Sequence, residues 1–161
     1  MTLQRPTSFF GTPQGWTLHD SNNLIQFSNN VVGSLETAGS TEYFAAGEAT
    51  GDHVGIVFIG ASEGDGKVGL GQVLGDTLAA NTQYSFSVDV GNIQSGFATT
   101  NEFFNLDSFP WYRIEFHAGN TLLAQTSDGI SAPIAQGTFE TITVKHTTGA
   151  APLEEGQALE I

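Results

Sequence analysis

The stretch YSFSVDVGN, residues 84–92, decides the fold class of this chain. Apolar and short polar side chains alternate along it, which is the two-residue period of a half-buried β-strand. The phenylalanine and the two valines would face a core, and the opposite side would present Ser85, Ser87 and Asp89. That polar side is either simply hydrated or it lines a functional site.

Similar strand patterns occur along the whole chain, and no segment shows a helical period of useful length. Besides residues 83–91, we predict a weak strand at 23–28 and clear strands at 53–60, 67–75, 111–119, 121–128 and 139–148. Short strands at this spacing, in a chain with 20 glycines, predict an all-β fold. We expect a single antiparallel β-sandwich of the jelly-roll type, forming one domain over residues 1–161.

The charge of the chain excludes several classes of partner. Seventeen acidic residues face four basic ones, which gives a net charge of −13. Such a surface disfavours nucleic acids and anionic membranes, and no apolar run is long enough for a transmembrane helix. The carboxylates either serve solubility or bind calcium, which prefers oxygen ligands. Because cysteine is absent, disulfides and thiol chemistry are excluded.

Two long connections are predicted between the strands, at residues 29–52 and 92–110. The second contains four phenylalanines without strand periodicity: Phe97, Phe103, Phe104 and Phe109. Long loops in compact domains are commonly functional, and one this rich in aromatic residues should pack over something. Together with Trp16, Phe58 and Trp111, these rings either pack internally or stack on a sugar or a cation.

Several carboxylates are candidates for site chemistry. Asp89 either pairs across the sheet with Arg113 or Lys145, or acts as a proton-donating carboxylate on a concave face. Asp20 and Asp52 lie among amides and glycines, where they would bind calcium or close Asx-turns. Asp107 completes this predicted set of calcium ligands.

Other catalytic chemistry has no motif in this sequence. The four histidines lack the spacing of a zinc site, and no serine lies in a nucleophile elbow. No glycine-rich phosphate loop follows a strand, and no pair of acids indicates a glycosidase. SEGDGK, residues 62–67, resembles half of a calcium loop, but a hairpin turn explains it better.

The order of motifs resembles that of the Stig cyclases, the enzymes of hapalindole, fischerindole and ambiguine alkaloid biosynthesis in cyanobacteria. The resemblance starts near Gly15 and covers most of the chain. Its motifs are GW at 15–16, DSNNLI at 20–25, GDHVGIVFI at 51–59, GQVLGDTLAANTQYSFSVDVGN at 71–92, WYRIEFHAGNTLLA at 111–124 and GTFETITV at 137–144. The 71–92 block is shared in looser form by sandwiches like those of carbohydrate-binding modules.

This resemblance implies a calcium-dependent, homodimeric cyclase. Such enzymes convert a geranylated indole isonitrile by an acid-initiated Cope rearrangement and a cationic ring closure. Phe58 and the stretch from Ser95 to Phe97 correspond to pocket positions of the family, and with Asp89 they form our predicted site. The resemblance also implies a natural precursor that is periplasmic or secreted.

The sequence departs from the family pattern in two places. SFFG has Phe10 where the family has a calcium-binding glutamate, and the family's proton donor would lie beyond Ile161. GQALEI, residues 156–161, begins like a strand and then stops, so we expect the chain to lack its last strand. The alternative functions are a non-catalytic carbohydrate-binding module and an interaction protein without a small-molecule pocket.

Overall fold

The structure is a computed structural model of the chain. It describes residues 8–26, 30–36, 43–44, 53–59, 67–97, 103–106, 111–126 and 134–161. Two compact units emerge, one formed by Met1–Gln72 with Gln94–Asn105 and the other by Val73–Ile93 with Leu106–Ile161. The single domain over residues 1–161 stays a prediction.

Strands dominate the described residues. In chain order they are β1 (Ser8–Phe10), β2 (Thr17–His19), β3 (Val31–Glu36), β4 (His53–Phe58), β5 (Gly69–Gly71), β6 (Val73–Thr77), β7 (Gln83–Asn92), β8 (Gly96–Phe97), β9 (Phe103–Phe104), β10 (Glu115–Ala118), β11 (Thr121–Gln125), β12 (Thr138–Thr147) and β13 (Ala158–Glu160). Every strand pair within these ranges is antiparallel. The predicted all-β, antiparallel fold class is therefore confirmed. No helix in the described part of the chain has the length and apolarity needed to cross a membrane.

The first unit contains a three-stranded sheet in the order β1-β3-β4 and two short strand pairs, β2-β5 and β8-β9. Strand β3 lies at the centre of its sheet, and its residues Val32 and Leu35 are buried. Phe44, which follows Tyr43 in a short described segment, is also buried, at 6% exposure. These side chains are the buried apolar residues of β3 and of the Tyr43–Phe44 segment.

The second unit is a two-layer sandwich. A four-stranded sheet, β11-β10-β13-β6, packs its apolar side against the pair β7-β12. The core between them is formed by Leu78, Phe116, Ala118, Val144 and Leu159. The Tyr84 ring of β7 meets the Phe116 ring of β10 at a centroid distance of 5.7 Å. The alternation in YSFSVDVGN thus produces the predicted strand, but its apolar face is half-buried, and Tyr84 is its residue that packs against this core.

Phe139 and Gly91 form a close cross-strand pair on the other face of β7-β12. They are direct partners in the register, and Phe139 is half-buried. A Cβ atom added to Gly91 would lie 2.4 Å from Cε1 of the Phe139 ring. Glycine is therefore required at position 91 for the phenylalanine ring to lie across the strand.

Two predictions about strands were wrong. Residues 23–28 were predicted as a weak strand, but Leu24–Gln26 form a 3₁₀-helix, and residues 27–29 lie outside the described ranges. The predicted 29–52 connection contains strand β3, which both β1 and β4 flank. A central strand that is buried on both faces does not alternate in hydropathy, so this segment shows no two-residue period.

Two other predicted segments are refined by the structure. The predicted strand 67–75 is interrupted at Gln72 and forms β5 and β6, which belong to different sheets. GQALEI forms β13, which pairs with β10 on one side and β6 on the other. Leu159 in this strand is only 2% exposed, so the end of the chain contributes to the core of the second unit.

Candidate functional site

The aromatic segment between β7 and β10 forms a small hairpin, which we call the aromatic hairpin (β8 and β9). Its register pairs Phe97 with Phe103 and Gly96 with Phe104. The rings of Phe97 and Phe103 meet edge to face, with centroids 5.1 Å apart and an interplanar angle of 61°. Three of the four strand residues in this hairpin are therefore phenylalanines.

These rings are unusually accessible for phenylalanine. Phe97 is 49% exposed, Phe103 55% and Phe104 41%. Neighbouring exposed apolar rings commonly mark a binding surface, whereas a single exposed ring needs no explanation. Their faces can stack on a flat apolar ligand or stabilise a cation. The aromatic hairpin is our candidate functional site.

Hydrogen bonds tie the aromatic hairpin to distant and local partners. The Tyr43 hydroxyl donates to the carbonyl of Phe97 over 2.9 Å, and the backbone N–H of Gln94 donates to the carbonyl of Tyr43 over 3.1 Å. The Ser95 hydroxyl donates to Oδ1 of Asn105 over 3.3 Å. Ser95 and Phe97, two of the predicted site residues, therefore lie in one hairpin. Sequence reasoning missed Tyr43.

Phe58, the third predicted pocket residue, ends strand β4 opposite Val31, on a different sheet of the same unit. The burial of β4 alternates, with Val57 exposed and Phe58 half-buried on the side of Ile56. Because HVGIVFIG is apolar on both faces, its sequence left the orientation of Phe58 open. The structure assigns it to the more buried face.

Asp89 belongs to the second unit, and its side chain is part of a row of polar pairs across β7-β12. The Thr141 hydroxyl donates to Oδ1 of Asp89 over 2.6 Å, and the hydroxyls of Ser87 and Thr143 are 2.8 Å apart. Lys145, a predicted partner of Asp89, lies opposite Ser85 instead. These contacts support a role in strand pairing, and the proton-donating role of Asp89 stays a prediction.

Asp20 was predicted as a calcium ligand, and the structure shows it as a cap. Its two carboxylate oxygens accept from the backbone N–H groups of Leu24 and Ile25, at 2.8 and 2.9 Å. The acid thus satisfies the first N–H groups of the 3₁₀-helix, four and five residues along the chain, whereas an Asx-turn would bond two residues along. Asp52 and Asp107 lie outside the described residues. Within the described ranges, no three His, Asp or Glu side chains form a metal-binding group, and the calcium ligands stay a prediction.

A groove at one edge of the second unit was not predicted. Its volume is about 370 Å³, and β6 and β7 supply most of its lining residues. Aromatic and aliphatic side chains line it together with an acid and two hydroxyl residues: Leu74, Asp76, Thr77, Tyr84, Ser85, Phe86, Phe116 and Leu159. These residues come from four strands, so no local sequence pattern could have revealed the groove.

An ionic row runs along β10 and the residues before it. Glu115 pairs with Arg113 through one carboxylate oxygen and accepts from Nε2 of His117 through the other, over 2.8 Å. Burial opposes ionisation of Glu115, but the hydrogen bond with His117 and the charge of Arg113 outweigh it. The pKa of Glu115 therefore lies below its ordinary value of 4.5. Nearby, burial and then the charge of Glu140 raise the pKa of Tyr112.

We expect Glu115→Gln to destabilise the protein by about 0.5–1 kcal/mol at neutral pH, because the pair is partly exposed. A lowered folded-state pKa contributes stability above the unfolded value, and that contribution disappears as the pH falls through the folded value. The difference between wild type and variant should therefore shrink below pH 4.5. Urea denaturation at several pH values measures it. Glu155→Gln, in an exposed turn, controls for the change in net charge, and an equal loss in both variants would contradict this prediction.

The strands and the aromatic hairpin define an antiparallel β protein with neighbouring exposed phenylalanine rings. The family model described as HpiC1-like, HpiC1 cyclase, matches residues 2–161. The chain therefore belongs to the HpiC1-like cyclase family, a family of enzymes. This confirms the resemblance to the Stig cyclases.

Solved structures support the same assignment. The Stig cyclase Fisc from Fischerella sp. TAU, in complex with (3Z)-3-(1-methyl-2-pyrrolidinylidene)-3H-indole, is 31% identical with a TM-score of 0.83, and the match covers 96% of this chain and 77% of that chain. A cyclase from the same source, in complex with 4-(1H-indol-3-yl)butan-2-one, is 31% identical with a TM-score of 0.82, covering 95% and 76%. An apo cyclase from Fischerella sp. is 29% identical with a TM-score of 0.83, covering 99% and 78%. Among curated proteins, no match was found.

Proposed function

We propose that the protein is an indole alkaloid cyclase that converts a geranylated indole isonitrile into polycyclic hapalindole-type products. The observation that carries this proposal is the aromatic hairpin, with its three exposed phenylalanine rings, in a chain of the cyclase family. Two solved relatives hold indole compounds, which are flat and aromatic. Exposed phenylalanine faces suit such ligands.

The proposed reaction is an isomerisation. An acid adds a proton, the Cope rearrangement breaks one carbon–carbon bond as it forms another, and the resulting cation closes a ring. Loss of a proton from the cyclised cation restores the balance, so the product has the formula of the substrate. In this scheme Phe97 and Phe103 offer aromatic faces to the cation, each worth about 0.5–2 kcal/mol, and apolar walls exclude water that would otherwise trap it.

We also propose that calcium supports the enzyme structurally, as the family resemblance implies. Asp20, Asp52 and Asp107 remain the proposed ligands, and the capping bonds of Asp20 mean that it would offer only its remaining lone pairs. A bound calcium ion would neutralise part of the net charge of −13 and order the segments that hold it. A homodimer and a periplasmic or secreted location are proposed on the same basis.

The decisive experiment incubates the protein with the geranylated indole isonitrile, with calcium or with a chelator, and identifies isomeric products by chromatography and NMR. We expect cyclised isomers with calcium and a large loss of product with the chelator. A thermal melt of the same samples separates loss of structure from loss of chemistry. No cyclised product under either condition would refute the cyclase proposal, and full activity in chelator would refute the calcium proposal.

Phe97→Ala tests the contribution of the hairpin. We expect the rate of product formation to fall by about tenfold, since the loss of one cation–aromatic contact is worth about 1.4 kcal/mol. The control is Phe10→Ala, which removes a ring that is 69% exposed in β1 of the same unit. Equal rates for the two variants would show that the hairpin is not part of the active site.

A carbohydrate-binding module is the second candidate, because Trp111 is 56% exposed and Trp16 is 37% exposed. Exposed tryptophan faces can stack on sugar rings. A glycan array separates this candidate from the cyclase. Sugar binding that Trp111→Ala abolishes would favour the module, and an array without signal would eliminate it.

A further inference from the structure

Tyr43 contacts the aromatic hairpin through two different groups. Its hydroxyl donates to the carbonyl of Phe97 over 2.9 Å, and its own carbonyl accepts from the backbone N–H of Gln94 over 3.1 Å. Tyr43 therefore bridges the two ends of the four-residue segment from Gln94 to Phe97. We call this pair of hydrogen bonds the Tyr43 clamp.

The clamp has a fixed base. Phe44, the next residue, is 6% exposed, so its side chain is buried beside the backbone that carries Tyr43. The bond from Tyr43 to Phe97 spans 54 residues of sequence. With a buried neighbour in sequence and a long-range hydrogen bond, Tyr43 links a buried residue of the first unit to the hairpin.

The hairpin needs such a link. Each of its strands has two residues, and an isolated two-stranded hairpin is marginally stable at best in water. Its three rings are about half exposed, so they gain only part of the stabilisation that full burial would give. The position of the Phe97 ring therefore depends on its edge-to-face contact with Phe103 and on the backbone of Phe97, whose carbonyl accepts from Tyr43.

We propose that Tyr43 is a positioning residue of the cyclase, one that fixes the Phe97 face and thereby sets the ratio of cyclised products. This inference rests on the proposed function. A cation with several possible ring closures partitions according to small differences in transition-state energy, and a factor of ten corresponds to 1.36 kcal/mol. A shift of the aromatic face that stabilises one cation more than another changes that partition without abolishing turnover.

The test variant is Tyr43→Phe, which removes the hydroxyl and keeps the ring. Ser87→Ala is the matched control, because it removes another exposed hydroxyl, the one paired with Thr143 in the second unit. We expect faster amide hydrogen exchange in residues 94–106 of Tyr43→Phe alone. We also expect the ratio of cyclised isomers to change by about three- to tenfold. Ser87→Ala should leave the isomer ratio unchanged.

The outcomes separate the two proposals. An unchanged isomer ratio in Tyr43→Phe overturns the positioning role, whatever happens to hydrogen exchange. If wild type forms no cyclised product, the proposed function fails, and the affinity for 4-(1H-indol-3-yl)butan-2-one then decides the role of the clamp. A weaker affinity in Tyr43→Phe than in both wild type and Ser87→Ala supports the clamp. Equal affinities, or no binding by any of the three proteins, overturn it.

Discussion

Leu159→Ala should lower the free energy of unfolding of the second unit by about 2–5 kcal/mol. Leu159 is 2% exposed and lies in β13, between β10 and β6. Truncating it removes apolar contacts and leaves a cavity that the flanking strands can fill only in part. Most small domains have a total stability of about 5–15 kcal/mol, so this single change would consume a large share of it.

Leu153→Ala provides a matched control in the same unit. The residue type and the substitution are identical, but Leu153 is 97% exposed in the turn that precedes β13. We expect a change within about 0.5 kcal/mol. Chemical denaturation of the three proteins measures both effects. Equal midpoints for the two variants would mean that β13 does not occupy the centre of its sheet.

Gly91→Ala should destabilise the protein by about 1–3 kcal/mol, the usual cost of overpacking. The new methyl group would lie 2.4 Å from the Phe139 ring, so the ring or the strand must move. Gly75→Ala, at a strand glycine with no heavy atom within 4 Å of the added Cβ, should be neutral or slightly stabilising.

The Phe139 ring can be identified as the cause by a double-mutant cycle. In a Phe139→Ala background, Gly91→Ala should cost less than about 0.5 kcal/mol, because the obstructing ring is gone. Thermal or urea denaturation of the four proteins gives the coupling energy. If the alanine costs as much in the Phe139→Ala background, the backbone and not the ring requires glycine at position 91.

The sequence predicted the long strands closely. Strands predicted at 83–91 and 139–148 are observed as Gln83–Asn92 and Thr138–Thr147, because alternating hydropathy is visible wherever one face of a strand is buried. Strand β3 was not predicted. It lies between two other strands, and Val32 and Leu35 are buried on opposite faces of it, so its hydropathy does not alternate. At residues 24–26 the cap formed by Asp20 overrides the apolar pattern of LIQ.

The candidate site was predictable in part. The resemblance to the cyclases selected Ser95 and Phe97, and the structure places both in one hairpin. Tyr43 could not be predicted, since its partner is 54 residues away and a single tyrosine in a polar segment carries no pattern. The pairing of Asp89 with Thr141 depends on the register of two strands that the sequence does not align.

The long pairing of β7 with β12 also has a kinetic consequence. Asp89 and Thr141 are 52 residues apart, and Ser87 and Thr143 are 56 apart, yet each pair is in direct contact. The chain must lose the entropy of closing these large loops before the ten-residue ladder can compensate for it. We therefore expect this protein to refold on the scale of about milliseconds to seconds, with the sandwich of the second unit completed only when β12 reaches β7.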